Sequence, residues 1–219
     1  MRIKELALTR YRNISELTLT ASPKCNVIYG DNAQGKTNII EAVWLFTGNK
    51  SFRGGHEREM IQFDAPSAEL TLVFEDSVRE QTARLLLGGK DKKKAFLNGV
   101  PLEGASGFAG EFSCVVFSPA HLSLVRDGPG ARRRLMDTAL CQLNRRYREY
   151  LSQYEKVLAQ RNALLKDAAR FPDLRDTLDV WDTQMAKLGT ILTIYRQDYA
   201  RRLSEAAGEF YEGFSRKDE

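Results

Sequence analysis

The stretch VIYGDNAQGKTNIIEA, Val27–Ala42, decides what kind of fold the chain can have. Its centre is a glycine, four variable residues and then Gly35–Thr37. The preceding residues, Val27–Tyr29, form an apolar run that is typical of a short buried strand, and apolar residues recur at helical spacing over Ile39–Phe46. The sequence therefore predicts a strand, a glycine-bounded turn and a helix that begins at Lys36.

A turn of this composition between a strand and a helix is the context of a phosphate-binding loop. The two glycines permit backbone angles that a side chain would hinder, so successive N–H groups can curve around an anion. The start of the helix adds N–H donors and the positive end of its dipole. Lys36 is expected to reach the terminal phosphates, and the Thr37 hydroxyl is expected to bind Mg²⁺. The residues predicted to bind the nucleotide are Gly30, Asp31, Asn32, Ala33, Gln34, Gly35, Lys36, Thr37 and Asn38.

Composition limits the class of protein. A content of 42% hydrophobic and 28% charged residues in 219 residues suits a soluble globular chain. No run of about 18 apolar residues occurs, so no membrane span is expected, and the first residues lack the apolar core of a signal peptide. The three cysteines are widely spaced and form no CxxC pair. They are interpreted as reduced thiols of a cytoplasmic protein.

Positive charge is concentrated in one segment. Between Arg126 and Arg170 there are eleven lysines or arginines and five acidic residues. Two interpretations remain open for its arginines, namely contact with DNA or a partner protein, and a solvated helix face with acidic neighbours such as Asp137 and Glu149. A second cluster, Lys90, Lys92, Lys93 and Lys94, is predicted at a hairpin tip and could equally be a solubilising turn. The arginines in question are Arg132, Arg133, Arg134, Arg145, Arg146 and Arg148.

Residues 1–130 carry short strand-like runs and are predicted to form one lobe that contains the phosphate-binding loop. Four of the runs alternate in polarity, as half-buried strands do, and the third and fourth are expected to be antiparallel neighbours. A fifth is continuously apolar and ends in proline, which predicts a buried central strand. In order, the runs are Ile3–Leu8, Glu16–Ala21, Ala68–Asp76, Thr82–Gly89 and Phe112–Pro119.

Residues 131–219 have a different period. Apolar and aromatic residues recur at spacings of three and four over Leu143–Leu164 and again over Leu174–Tyr199, and Pro172 separates the two stripes. This pattern predicts an antiparallel helical hairpin, either an extended coiled-coil arm or part of a compact bundle. Arg161 lies inside its stripe, where it could extend towards solvent, pair across the hairpin or make a functional contact.

Seven segments, which together reach over nearly the whole chain, form a distinctive series. They are RYRNI (Arg10–Ile14), GDNAQGKTNIIEA (Gly30–Ala42), KSFR (Lys50–Arg53), VVFSP (Val115–Pro119), RRRLMD (Arg132–Asp137), LAQRNALLK (Leu158–Lys166) and VWDTQMAKLG (Val180–Gly189). In these segments and in their order the chain resembles the RecF family of bacterial DNA-repair ATPases, which are relatives of SMC and ABC-type heads. One departure is that Ala120 and His121 stand where the family usually has an acidic pair, which bears on any contact of those acids near the nucleotide.

The resemblance implies an α/β fold: a P-loop NTPase head of the ABC/SMC-like class, with a mixed sheet that includes an antiparallel meander, plus an antiparallel helical arm. It implies ATP and Mg²⁺ as cofactors, with Arg12 as a further contact to the nucleotide. It also implies a nucleotide-dependent homodimer that binds DNA at gaps and at junctions of single and double strands. RecO and RecR are the implied partners, and loading of RecA in recombinational repair is the implied outcome.

An ATPase of this class also needs a Leu-Ser-x-Gly-Gln-like signature and an apolar strand that ends in acidic residues. The sequence contains no such signature, and Leu72–Asp76 is predicted to be an ordinary sheet strand that runs into a turn. The chain is therefore expected to be the N-terminal part of a head with its arm, without the second half of the head. No catalytic residues are expected in it. It is expected to bind ATP weakly and not to hydrolyse it, whereas a full-length protein would be a weak DNA-stimulated ATPase.

Two other classes of nucleotide-binding protein fit less well. A small GTPase needs an Asn-Lys-x-Asp motif, which the segment beginning at Asn49 does not complete. A nucleotide kinase would not devote so much of its chain to heptad stripes. An SMC-like ATPase head that scaffolds DNA outside the RecF pathway remains the alternative, and it predicts that the stripes continue into a long coiled coil.

Overall fold

The computed structural model describes residues 1–88, 93–168 and 170–214, and the chain divides into two compact units. The first is Met1–Ser118 and the second is Pro119–Glu219. The division falls earlier in the chain than the expected boundary after residue 130. The intervening segment contains a 3-10 turn, Pro119–Val125, which groups with the helices of the second unit.

The first unit is built on one six-stranded sheet with the order β2-β1-β3-β4-β5-β6. Every strand pair in the described part of the chain is antiparallel. The predicted pairing of the third and fourth runs is confirmed by β3 and β4. The strands are β1 (Arg2–Tyr11), β2 (Ile14–Thr20), β3 (Ser67–Glu75), β4 (Glu80–Gly88), β5 (Lys94–Leu97) and β6 (Val100–Leu102).

Alternating polarity explains the orientation of this sheet. In β3 every second side chain is buried, and in β1 the buried Leu6 and Leu8 alternate with less buried neighbours; Leu6 lies opposite Leu72 and Leu8 lies opposite Leu70. Each of these leucines is at most 1% exposed. Full burial of such a side chain contributes about 1.5–3 kcal/mol, so this face drives folding of the unit.

Helix α1 (Lys36–Leu45) covers the apolar face of the sheet. Its Ala42 and Leu45 are fully buried and belong to the same core as the strand leucines. Phe46, which follows the helix, packs on Phe108 with ring centroids 5.6 Å apart. Burial of this helix fixes the position of its N-terminus, where the predicted phosphate-binding loop ends. Two 3-10 turns, Glu57–Met60 and Ala105–Phe108, complete the unit.

Two predicted strands are not formed. The described residues 22–30 and 112–118 contain no strand. Val27 and Val115 are 77% and 95% exposed, and Tyr29 and Phe117 are also exposed. A continuously apolar strand of a parallel sheet needs neighbouring strands on both sides, and no strand among the described residues pairs with either segment. The prediction of buried strands at Val27–Tyr29 and Phe112–Pro119 is therefore wrong for this structure.

Asn98 and Gly99 form a turn between the last two strands. Both residues have positive φ, 51° and 80°, as a two-residue turn with the twist of a hairpin requires, and they join β5 to β6. Of the lysine cluster before it, Lys90 and Lys92 lie outside the described residues. Lys93 pairs with Glu57 at 3.1 Å, and Lys94 is exposed at the start of β5.

In its described residues the second unit contains three α-helices, α2 (Pro129–Leu143), α3 (Arg145–Asp167) and α4 (Leu178–Phe214), with a second 3-10 turn at Pro172–Thr177. Helices α3 and α4 form the predicted hairpin, with the turn at the predicted proline. The separate helix α2 was not distinguished from the stripes. Asn144 divides α2 from α3 because its backbone is extended and its side chain accepts the N–H of Tyr147 at 3.2 Å.

Side-chain contacts hold the three helices together. Arg196 of α4 makes two hydrogen bonds to Asp137 of α2, at 2.8 and 2.9 Å, and the Tyr147 hydroxyl of α3 donates to the same carboxylate. Tyr147 is fully buried and belongs to the core of this unit. Arg161 pairs across the hairpin with Asp182 at 2.5 Å, one of the three roles considered for it. No helix in the described ranges is long and apolar enough to cross a membrane.

Candidate nucleotide-binding site

The turn before α1 has the predicted backbone geometry. The helix begins at Lys36, and Gly35 precedes it with φ of 97° and ψ of 5°, in the left-handed region. A Cβ atom at position 35 would lie only 2.8 Å from Oδ1 of Asn13. Glycine is therefore required here for two reasons, the backbone angle and the approach of a neighbouring side chain.

Asn13 supports the middle of the loop. Ala33 has φ of 66°, a conformation that costs an L-residue about 1–2 kcal/mol. Nδ2 of Asn13 donates to the Ala33 carbonyl at 2.8 Å, and Nδ2 of Asn38 donates to Oδ1 of Asn13 at 2.8 Å. Asn13 thus ties the end of β1 to both sides of the loop. It was not predicted as a site residue, although it lies in the RYRNI segment.

Lys36 brings its ammonium group back into the loop. Its Nζ donates to the carbonyl oxygens of Gly30 at 2.7 Å and Asp31 at 2.5 Å. The positive end of the α1 dipole lies at the same place, and the first turn of α1 contains no acidic residue. The loop is therefore electropositive and suited to an anion.

A cleft of about 410 Å³ lies along this loop. Seven of the predicted nucleotide-binding residues line it, namely Asn32–Asn38, so the structure brings these together. Gly30, Asp31 and Arg12 are not among the lining residues. Two residues that were not predicted are, Asn13 and Arg53. The complete lining is Asn13, Asn32, Ala33, Gln34, Gly35, Lys36, Thr37, Asn38 and Arg53.

Arg12 faces a carboxylate rather than the cleft. Its Nε and Nη2 donate to the two oxygens of Glu41 at 3.1 and 2.7 Å, and its Nη1 donates to the Glu59 carbonyl at 2.9 Å. Glu41 lies on α1 and is fully buried. This bidentate pair anchors the end of β1 on the helix that follows the loop.

The Glu41 carboxylate also holds the segment that contributes Arg53 to the cleft. The Ser51 hydroxyl donates to Glu41 and accepts the backbone N–H of Arg53 at 3.1 Å. Nη1 of Arg53 donates to Oδ1 of Asn38 at 2.6 Å and lies 3.9 Å from Glu41. The signal for Arg53 was present in the sequence as the KSFR segment, but sequence alone did not place it beside the loop.

Burial, charge and hydrogen bonds all shift the pKa values of this cluster. Burial raises the pKa of Glu41, but hydrogen bonds from Arg12 and Ser51 outweigh it, so the pKa lies below its usual value. Burial raises the pKa of Tyr11 well above its usual value, and the negative charge of Glu41 adds to the rise. The buried Tyr11 hydroxyl faces the Arg12–Glu41 pair but has no hydrogen-bond partner of normal geometry.

The candidate arginines of the second unit lie near the two ends of α2 rather than in one cluster. Arg132–Arg134 are exposed in its first turns, and Arg145 and Arg146 are exposed in the first turn of α3. From Arg134 to the end of α2 at Leu143 the helix rises about 14 Å. Arg148 is half-buried, its Nε donates to the Cys141 carbonyl at 3.4 Å, and burial lowers its pKa.

A second cleft, of about 430 Å³, lies within the second unit. Leucine and tyrosine side chains form most of its wall. Its charged residues, Asp198 and Arg202, pair with each other at 2.9 Å. It therefore offers no concentration of positive charge, and the loop cleft is the better candidate for a phosphate ligand.

Comparison with known proteins agrees with the geometry of the loop. Residues 5–107 match a family model described as an AAA domain. The chain is 39% identical over 215 residues to the DNA replication and repair protein RecF of Agathobacter rectalis, and covers 59% of its length. It is 36% identical over 219 residues to RecF of Halalkalibacterium halodurans, again covering 59%. The chain thus spans about three fifths of the length of the curated relatives it matches.

Solved structures show the same relationship. The chain matches two structures of the recombination mediator protein RecF of the RecFOR pathway, with TM-scores of 0.92 and 0.90 and 29% identity. The second of these is described with ATP, and the chain covers 58% of it. An SMC ATPase structure matches with a TM-score of 0.52 at 20% identity, which shows a shared fold alone. The fold is that of an ABC/SMC-like P-loop head with a helical arm, and over nearly its whole length the chain is similar to RecF proteins.

Proposed function

We propose that the loop cleft binds the phosphates of ATP together with Mg²⁺. The observation that carries this proposal is the arrangement of Gly35, Lys36 and Thr37 at the N-terminus of α1, along a cleft lined by polar residues. The exposed Thr37 is the proposed Mg²⁺ ligand. Support comes from the match to RecF solved with ATP.

Lys36 changes partners in this proposal. In the present structure its ammonium group donates to two loop carbonyls, Gly30 and Asp31. A phosphate oxygen in the cleft offers a charged acceptor instead, and charge-assisted hydrogen bonds are about twice as strong as neutral ones. Arg12 acts on the nucleotide indirectly, because its guanidinium is taken up by Glu41 and the Glu59 carbonyl.

The wider function we propose is ATP-dependent binding of DNA in recombinational repair. The longer protein would form a nucleotide-dependent homodimer in the cytoplasm, recognise gapped DNA and junctions of single and double strands, and act with RecO and RecR to load RecA. The exposed residues Arg132–Arg134, Arg145 and Arg146 are the proposed contacts to DNA or a partner protein. Arg148 is the weakest candidate of the set because it is half-buried.

Two exposed apolar segments fit this wider function. Val27 and Tyr29 precede the loop, and Val115 and Phe117 lie in the other segment that was predicted as a strand. We propose that the remaining two fifths of the relatives' length supply strands that pair with both segments, together with the ATPase signature and the acidic strand. This chain by itself would then bind ATP weakly and hydrolyse none.

The alternative, an SMC-like scaffolding head, is less well supported. It predicts a long coiled coil, whereas α3 ends after 23 residues and the chain turns back at Pro172–Thr177. At a rise of 1.5 Å per residue, this helix is only about 35 Å long.

Competition with a fluorescent ATP analogue tests the proposal. ATP with Mg²⁺ should displace the analogue from the 219-residue chain, and AMP should not, because it lacks the terminal phosphates. Lys36→Ala should weaken binding about tenfold to hundredfold, the equivalent of one charge-assisted hydrogen bond. Equal binding of ATP by the Lys36→Ala chain, or none by the unsubstituted chain at millimolar ATP, would refute the proposal.

A further inference from the structure

The carboxylate of Glu41 is completely buried, on the face of α1 that packs into the first unit. Burying a carboxylate is unfavourable unless charged and hydrogen-bonding partners surround it. Glu41 is not among the residues that line the loop cleft. Direct contact with a ligand in that cleft therefore does not explain why an acid is placed here.

The partners of Glu41 come from two separate segments of the chain. Arg12 at the end of β1 makes a bidentate pair with it and is also held by the Glu59 carbonyl. Ser51 donates its hydroxyl to the same carboxylate. Glu41 therefore connects β1 and the segment 50–53 to the helix that carries the loop.

The Ser51 hydroxyl links Glu41 to Arg53 through a second hydrogen bond. While it donates to Glu41, it accepts the backbone N–H of Arg53 at 3.1 Å. The Arg53 side chain then donates to Asn38 at 2.6 Å and lines the cleft. Both ends of Arg53, its backbone and its guanidinium, are thus fixed relative to α1.

The charges are distributed so that Arg53 remains available to an anion. Glu41 is neutralised by the bidentate contact with Arg12 at 2.7 and 3.1 Å, whereas Arg53 lies 3.9 Å away. The Arg53 side chain is 45% exposed, against 15% for that of Arg12. One guanidinium balances the buried acid, and the other faces the cleft beside Lys36.

We propose that Glu41 is a positioning residue for a polyphosphate ligand: through Ser51 it holds Arg53 at the cleft, so that Arg53 and Lys36 present two positive charges to the same phosphates. This inference rests on the proposed function for the identity of the ligand. It adds a role for Glu41, Ser51 and Arg53 that the loop motif does not include.

Trp44 offers a test that needs no nucleotide. Its Nε1 donates to the Lys50 carbonyl at 2.8 Å, and its ring contacts Phe52 edge-on at 6.1 Å. Trp44 is 7% exposed, so its accessibility reports whether the segment 50–53 is in place. Since the chain has two tryptophans, Trp181→Phe makes Trp44 the single tryptophan, which can be excited selectively.

In that background, Glu41→Gln and Ser51→Ala should each raise the acrylamide quenching of Trp44, about twofold or more, because local opening exposes the indole. Ser106→Ala is the matched control, since it removes one side-chain hydrogen bond, 3.2 Å to Glu103, elsewhere in the same unit. It should leave quenching unchanged. If Glu41→Gln does not fold, Ser51→Ala decides the outcome because it keeps the Arg12–Glu41 pair. Quenching equal to the control in the folded variants would overturn the positioning role.

A double-substitution cycle on ATP affinity supplies the second test. Arg53→Ala should weaken binding, and Glu41→Gln added to it should weaken binding no further, because both act through the same guanidinium. Additive losses would mean that Glu41 acts only on the general stability of the unit and would overturn the inference. Absence of ATP binding in the unsubstituted chain would refute the proposed function instead, and the Trp44 measurement would still decide the role of Glu41.

Discussion

At the scale of single residues, the loop is shaped by side chains that lie far from it in sequence. Asn13 accepts a hydrogen bond from Asn38 and donates to the Ala33 carbonyl, and its Oδ1 occupies the space beside Gly35 that a Cβ would need. The motif in Val27–Ala42 predicted the glycines, the lysine and the start of the helix. It contained no information about Asn13, because a contact across twenty residues depends on how β1 packs against α1.

Gly35→Ala should destabilise the chain by more than the backbone conformation alone. A left-handed alanine costs about 1–2 kcal/mol, and the new Cβ would also displace Asn13 from its hydrogen bonds. Gly110→Ala is the matched control, since Gly110 has φ of 88° and nothing within 4 Å of the added Cβ. Urea unfolding of both variants should show the larger loss for Gly35→Ala. Equal losses would mean that the Asn13 contact has no energetic importance.

The stabilising contribution of Glu41 should depend on pH in a defined direction. Its pKa is lowered in the folded chain, so its contribution is present above the unfolded value and is lost as the pH falls through the folded value. The groups that face it are Arg12 and Tyr11 of β1, with Ser51 and Arg53 of the following segment.

The free energy of unfolding should therefore differ between the unsubstituted chain and Glu41→Gln by a constant amount above about pH 5.5, and the difference should shrink below about pH 4.5, where unfolded glutamate gains its proton. Urea titrations across this range measure it. A difference that grows as the pH falls would show that the pKa of Glu41 is raised in the folded chain, contrary to this account.

At the scale of elements, the strands show what a sequence pattern can and cannot specify. Strands β1 and β3 were predictable because each has one buried and one solvated face, and their alternation sets the register of Leu6 opposite Leu72. The apolar runs at Val27–Tyr29 and Phe112–Pro119 carry no such alternation. Their conformation depends on neighbouring strands, and the described residues provide none.

The helices of the second unit depend in the same way on contacts that spacing does not reveal. The apolar stripes predicted the hairpin of α3 and α4, because apolar residues at heptad spacing indicate which face of each helix is buried. The contact of Arg196 with Asp137 joins residues 59 positions apart, and it attaches α2 to the hairpin. Polar partners at that separation cannot be identified from one sequence.

Arg196→Met should cost about 2 kcal/mol of stability, since it removes two hydrogen bonds between charged groups that are largely shielded from solvent. Arg201→Met, on an exposed face of the same helix, is the control and should have little effect, because exposed ion pairs contribute little. Thermal unfolding followed by circular dichroism compares them. A loss for Arg201→Met as large as that for Arg196→Met would contradict this assignment of the packing.

At the scale of the whole molecule, charge is the property that bears on DNA. The chain has a net charge of +4, and the exposed arginines at the two ends of α2 carry a large part of the local excess. The sequence predicted this excess. It did not show that Arg148 is half-buried, or that the two groups lie on separate helices, because both depend on the break at Asn144.

Reversing the charge of Arg132, Arg133 and Arg134 to glutamate should weaken binding of the chain to DNA and flatten its dependence on salt. Each lost phosphate contact should reduce the slope of log affinity against log salt by about 0.9. The control makes the same change in net charge at the exposed residues Arg2, Lys24 and Arg79 of the first unit. Fluorescence anisotropy at several salt concentrations measures both. Equal effects of the two triple variants would show that Arg132–Arg134 do not form a specific DNA-binding surface.

The central claim is that the amides around Gly35 enclose phosphate, and amide chemical shifts test it most directly because they detect weak binding residue by residue. Titrating the ¹⁵N-labelled chain with ATP and Mg²⁺ should shift the amides of residues 32–38 in a saturable manner. AMP should leave them in place, and Lys36→Ala should suppress the shifts. Amides of the loop that do not move at millimolar ATP, or shifts confined to another surface, would contradict the account.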